Sequence, residues 1–283
     1  MLDKPLADIK NMVFLSRQDI EKISLEAVRN IYMGSNISLC KILTKYNIYL
    51  DGRDAGVVPN IMMDGYWESW ITKFIAKTVQ PGDYCVDAGA NFGYYSLLIA
   101  NLAGREGKTI AIEPNAYLCR LLTMTNNVNE FGFKIINMAA SNSTGETILS
   151  VPDHLWGSAT IVTKAELPGD NRKEIVKSDM LDNIVADAGF PRVDFIKMDC
   201  EGAEPFIIQG MDKILAQNPQ LKMVMEYSPY LYVDATGFTE KLFERFEVGQ
   251  IHGDSSVELF SAPDIPSLLA ITDHVDLFLG PKP

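Results

Sequence analysis

Polar and apolar residues alternate along this chain with two different periods, and the switch between them predicts the architecture. Near the start, Ser16 is placed to cap a helix with Asp19 in its first turn, predicted to run to about Met33 with Gly34 just beyond. Lys45 to Leu50 alternates as a strand does. Asp51-Gly52 then suggests a turn before a short extended piece at Val57-Val58. Tyr66 to Val79 follows the helical period, with Trp67, Trp70, Ile71 and Phe74 on one face, and Pro81-Gly82-Asp83 stops it.

From Tyr84 onward, strands and helices alternate regularly. Short apolar runs end in an acid at Asp87, Glu113, Asp199 and Glu226, and Phe133 to Ala139 reads as a further strand. Between them, Tyr94 to Leu102, the stretch carrying Leu118, Leu121, Leu122 and Thr125, Leu181 to Ala188, Pro205 to Gln217 and Phe238 to Phe246 read as helices. Thr144 to Asn171 holds Pro152, Gly157, Pro168 and Gly169 and reads as a long functional loop or lid. Val248 to Leu279 reads as short strands closing in a hairpin. The pattern predicts an α/β fold, a mostly parallel sheet with helices on both faces. Residues 1–80 are expected to be a helical and extended region packed on that core, as an acceptor lid or dimer contact. Residues 81–283 are expected to be the ligand-binding domain.

Ligands in such sheets bind outside the carboxyl ends of the strands. The turn Gly89-Ala90-Asn91-Phe92-Gly93 lies there, between a strand and a helix start. Its Gly-x-x-x-Gly spacing differs from the Gly-x-Gly-x-x-Gly of dinucleotide sites, so a nicotinamide oxidoreductase is disfavoured. Glu113 stands twenty residues after Gly93, where a carboxylate bridges ribose hydroxyls. Asp87 is placed to take an amino group. Four acids at strand ends repel one another unless a cation relieves them. An adenosyl amino acid with a sulfonium, S-adenosylmethionine, suits this set.

Composition narrows the partners. The chain has 283 residues and a net charge of −12, without a lysine- or arginine-rich run, which disfavours nucleic acid and anionic membrane surfaces. No apolar stretch is long enough to span a bilayer, and MLDKPLADIK lacks the apolar core of a signal peptide. Cys40, Cys85, Cys119 and Cys200 are scattered without a Cys-x-x-Cys pair and read as buried reduced thiols, so the expected compartment is cytoplasmic.

Two stretches together resemble one family. VDAGANFGYYS (Val86 to Ser96) resembles motif I of class I S-adenosylmethionine-dependent methyltransferases. FIKMDCEGAE (Phe195 to Glu204) is similar to the Lys-x-Asp-x-Glu-Gly-x-Glu signature of their FkbM group. Glu68 in GYWES, Leu181-Asp182 and Glu226 fit the same group in order. The resemblance covers residues 65 to 227, with Cys200 replacing the usual valine or isoleucine. It implies a Rossmann-like, seven-stranded sheet with a reversed C-terminal antiparallel hairpin. It also implies methyl transfer to an oxygen of a sugar, glycan or secondary metabolite. Asp87, Gly89, Gly93 and Glu113 would hold the cofactor, Asn91 and Phe92 would lie along its amino-acid end, and Ser141 or Asn142 would lie near the adenine.

Methyl transfer to a hydroxyl needs a base. Asp199 is the first candidate and Glu201 the second, set against the reading that both merely cap the following helix. His154, in the long loop, is a third. Glu68 either hydrogen-bonds the cofactor's amino-acid end or sits on a helix surface. Asp199, Glu201 and Glu226 would supply hard oxygen ligands if a divalent metal is used. Lys197, inside a strand, needs an ion-pair partner. His252 and His274 are expected to be structural. A non-catalytic binding or scaffold protein of the same fold is the alternative.

Overall fold

The computed structural model describes residues 9–161 and 171–282. Ser16 opens helix α1 (Arg17–Ala27) with a reciprocal capping box: its hydroxyl accepts from the Asp19 N–H, and Asp19 accepts from the Ser16 N–H. The helix ends six residues earlier than the sequence pattern predicts. Arg29 onward instead forms β1 (Arg29–Gly34), which pairs with β2 (Ile37–Ile42), which pairs with β3 (Tyr46–Asp51). Ile31 and Tyr32 favour a strand over a helix, and the ladder to β2 satisfies their backbone.

Val57-Val58 is not extended but begins α2 (Val57–Asp64). The cause is Asp54, whose Oδ1 accepts from the N–H groups of Gly56, Val57 and Val58. A carboxylate at a helix start outweighs the weak strand preference of two valines. Helix α3 (Ser69–Thr78) then leads into the main alternation of β4 (Tyr84–Ala88), α4 (Tyr94–Ala103), β5 (Lys108–Ile112) and α5 (Ala116–Asn129). Leu118, Leu121, Leu122 and Thr125 form the buried stripe of α5.

The run Phe133 to Ala139 is broken in two. Only β6 (Lys134–Ile136) joins the main sheet, while β7 (Ala139–Ser141) joins a second one. Asn137 makes the break, because its amide donates to the carbonyl oxygens of Glu113 and Pro114. The expected long loop is largely structured too. Strand β8 (Gly145–Pro152) pairs antiparallel with β9 (Asn171–Met180), which runs parallel to β7. Residues 162–170 of that loop lie outside the described residues.

Next come α6 (Leu181–Asp187), β10 (Phe195–Met198), α7 (Glu204–Gln209) and α8 (Asp212–Gln217). The single helix expected over 205–217 divides at Gly210, where a Cβ would come within 2.1 Å of the Ser141 carbonyl oxygen. The chain closes with β11 (Lys222–Tyr227), α9 (Ala235–Arg245), β12 (Phe246–Ile251), β13 (Val257–Leu259), α10 (Ile265–Leu269) and β14 (Val275–Pro281).

The main sheet has the order β13-β12-β14-β11-β10-β4-β5-β6. Neighbours from β6 to β11 are parallel, whereas β14 is antiparallel to β11 and to β12. The α/β class and the reversed C-terminal strand match expectation. The eighth strand, three-residue β13, extends the expected seven at the edge. Strand residues alternate between two cores. Cys85, Ala111, Phe195 and Val224 face α4, α5 and the N-terminal elements, together with Ile20, Ile42 and Ile48. Val86, Ile110, Ile196 and Met225 face α6, α7 and α9. Among the described residues, no helix is long and apolar enough to cross a membrane.

Candidate functional site

The strand order reverses between β4 and β10, and the loops leaving these two strands press against each other there. Gly89 has φ +81°, and a Cβ on it would lie 1.7 Å from the Asp199 carbonyl oxygen. This glycine is therefore required by contact between two protein backbones, not only by approach to a ligand. Gly93, at φ +93°, is held to glycine by its left-handed backbone, and the Leu122 side chain, whose Cδ1 would be 2.2 Å from a Cβ, packs against it. The N–H groups of Gly89 and Ala90 both donate to the Ile112 carbonyl, fixing the turn to the end of β5.

Glu113 completes that fixation. Its Oε2 accepts from the Asn91 N–H at 2.9 Å and its Oε1 from the Asn115 N–H at 2.8 Å. Burial pushes its carboxyl up to about 7, against the pull of those two hydrogen bonds. Asn91 sits in the left-handed region, at φ +51°, and its buried Oδ1 has no hydrogen-bond partner among the described residues. Asp87 is fully buried, with Oδ2 accepting from the Ser96 hydroxyl at 2.5 Å and Oδ1 without a partner among the described residues. Burial raises its pKa.

The β10 side carries a small charge network. Lys197, opposite Asp87 in register, donates to Asp199 Oδ2 at 2.8 Å and lies over the Tyr95 ring. Burial opposes its charge, but the Asp199 and Asp87 carboxylates together raise its pKa above the ordinary lysine value. The ion pair expected for a strand-interior lysine is present. Tyr95 donates to Glu68 Oε2 at 2.6 Å. Glu68 is pushed up to about 7, first by burial and then by the Asp276 carboxylate. Glu201, at φ +53°, is pushed up to about 8 by burial and then by Asp199. Glu226 reaches about 10, by burial and then by the Asp199 and Glu201 charges.

A cavity of about 410 Å³ opens between these groups. Glu68, Gly89, Asn91, Phe92, Glu113, Asp199, Glu201 and Glu226 all line it. Asp87 and Gly93 do not line it. Ser141 and Asn142 are turned toward α7, with the Asn142 amide donating to Gln209, and Ala139 and Ala140 line the cavity in their place. His154 does not line it either; its Nδ1 sits 3.0 Å from the Arg53 carbonyl oxygen. Lys197, Tyr95, Trp156 and His274 line it without having been singled out for it. Trp67 also lines it, while Phe74 is core and Trp70 donates to Asp276. Cys40, Cys85 and Cys119 are buried, but Cys200 is only half-buried and lines the cavity.

The donor set suits an adenosyl sulfonium. Carboxylates supply counter-charge, and the Asn91 oxygen, without a partner among the described residues, is an acceptor for a ligand donor. It suits a metal less well. Among the described residues, no group of three or more His, Cys, Asp or Glu side chains converges to hold an ion, so Asp199, Glu201 and Glu226 share a wall without forming a ligand set.

The family described as the methyltransferase FkbM domain matches residues 87–253. Methyltransferase sdnD of Sordaria araneosa is 27% identical over 158 residues, which cover 46% of this chain and 61% of that protein. This chain thus spans less than two thirds of that relative's length. Among solved structures, methyltransferase FkbM from Methylobacillus flagellatus KT is similar at a TM-score of 0.44 and 14% identity, over 79% of this chain and 52% of that one. A precorrin-6y C5,15-methyltransferase from Geobacter metallireducens GS-15 gives 0.43 and 12%, over 82% and 96% respectively.

Proposed function

The chain belongs to the FkbM methyltransferase family, and from that premise we propose that it methylates a hydroxyl of a small molecule, glycan or secondary metabolite using S-adenosylmethionine. The observation that carries this reading is the cavity at the strand reversal, lined by Glu113 together with Glu68, Asp199, Glu201 and Glu226. When bound, S-adenosylmethionine supplies an electrophilic methyl group on a sulfonium.

Glu113 holds a ribose diol with the lone pairs left free by its two backbone bonds. Asn91 Oδ1 takes a donor from the same ligand. Glu68 and Asp199 face the cationic end, and Lys197 keeps Asp199 in place through its 2.8 Å bond. Asp87 acts by setting Ser96 and balancing Lys197.

Of the three base candidates, Asp199 and Glu201 line the cavity and His154 does not, and Glu201 is the better placed of the two. Asp199 commits one oxygen to the Lys197 ammonium, whereas burial tunes Glu201 to about 8, near the operating pH that favours proton transfer. Glu201 accepts the hydroxyl proton, and the cavity holds donor and acceptor in line.

The reading is tested by incubating the protein with methyl-labelled S-adenosylmethionine and a panel of polyols, glycans and phenols. Acceptor-dependent transfer to an alkali-stable ether is expected. Label found only on nitrogen would overturn the oxygen assignment, and no transfer to any acceptor would favour the scaffold alternative.

A further inference from the structure

The roof of the cavity is a strap of residues 153–161, of which Leu155, Trp156, Gly157, Ser158, Ala159 and Ile161 line the space below. It crosses directly over the glycine turn: a Cβ on Gly157 would sit 3.0 Å from Asn91 Nδ2. Both ends are tied down. At the far end, Thr160 bridges Ser150 of β8 through two backbone bonds, and its hydroxyl donates to the Glu201 carbonyl oxygen at 2.7 Å. At the near end the strap meets residues 53–56, which lead into α2. The Ala55 N–H donates to the His154 carbonyl, the Arg53 guanidinium lies 5.2 Å from the Trp156 ring centroid, and Trp156 packs edge-on against Tyr117.

One carboxylate joins the near end to the N-terminal region. Asp54 is buried to 1% exposure. Its Oδ1 accepts from three N–H groups at the start of α2, and its Oδ2 accepts from the Trp156 N–H at 2.9 Å. A buried carboxylate whose two oxygens serve two different segments fixes their relative position, because losing either set leaves a charge undersatisfied.

We propose that Asp54 is the positioning residue of the cavity roof: it latches the Trp156 strap to α2 and thereby slows release of the ligand held over the glycine turn. Asp54 touches no ligand itself and acts through Trp156. The release step rests on the cavity's being the S-adenosylmethionine site; the latch does not. It gives the N-terminal 80 residues a role in closing the site rather than only in packing.

Asp54→Asn in the full chain separates the two halves of the latch. The amide keeps a carbonyl oxygen for α2 but turns an NH₂ toward the Trp156 N–H. Hydrogen exchange of residues 153–161 in the ligand-free protein is the first readout. Faster exchange in the strap, with α2 protection and Tm near wild type, is expected. Stopped-flow release of S-adenosylhomocysteine is the second, with an expected increase of about 10- to 100-fold, the weight of one charge-assisted hydrogen bond. Equal strap protection in variant and wild type overturns the latch, and unchanged release overturns its effect on the ligand. A Trp156 amide that exchanges freely in the wild type overturns it without any variant, should Asp54→Asn fail to fold. Failure of the wild type to bind S-adenosylhomocysteine at all would instead sink the cofactor reading and, with it, the release step, and strap exchange alone would then decide the latch.

Discussion

Glu113 and Glu201 show how one residue type divides into two roles by environment. Glu113 receives two backbone N–H groups and so organises the turn; Glu201 has its charge opposed by burial and by Asp199. Glu201→Gln is expected to lower kcat by about 10²–10⁴-fold while leaving S-adenosylhomocysteine affinity within a few-fold. Its base form is the deprotonated one, and the folded-state value is raised to about 8. The wild-type rate should therefore climb as pH rises through that value, and the variant should lose the climb. A variant that turns over at the wild-type rate would remove Glu201 from the chemistry. At this scale, the acids were legible in the sequence because strand-end position alone put Glu113, Asp199 and Glu226 at the cavity. Trp156 was not, because its place depends on a hydrogen bond to Asp54, 102 residues away. Ser141 and Asn142 were implied by the resemblance as residues just past the third strand, and the break at Asn137 carries that part of the chain into another sheet.

The elements were legible where periodicity and capping agreed, as in α1's start and all of α5. They were misread where a single side chain overruled the local pattern. Asp54 turns two valines into a helix start, Asn137 splits a strand, and Gly210 splits a helix. Glycines repay the same scrutiny. At Gly89 a Cβ has no room against the Asp199 backbone, whereas Gly189, also at positive φ (+74°), has nothing within 4 Å of a Cβ. Gly89→Ala should thus cost about 3 kcal/mol or more, from a clash added to backbone strain. Gly189→Ala should cost only about 1 kcal/mol, from strain alone. Denaturant melts of both variants check the difference; equal costs would mean that the β4 and β10 loops are not held together as described.

Across the whole molecule, the two halves of the site come from strands distant in sequence, and the sheet order brings them together. Neither Glu113 nor Glu226 is informative alone. The parallel register of β5, β4, β10 and β11 places their carboxyl ends in one row, with Lys197 as the buried cation among them. Such a row is destabilised by its own charge, and a cationic ligand relieves it. Fold class was readable from the alternation of strands and helices. The acceptor was not, since the strap and the N-terminal segment that meet at the cavity do so only in three dimensions. The central claim is that this row and the glycine turn form one adenosyl-sulfonium site. Calorimetric titration of the purified protein with S-adenosylhomocysteine tests it most directly. One-to-one binding at about micromolar affinity, roughly −8 kcal/mol, is the predicted result; no saturable heat at millimolar ligand would contradict it.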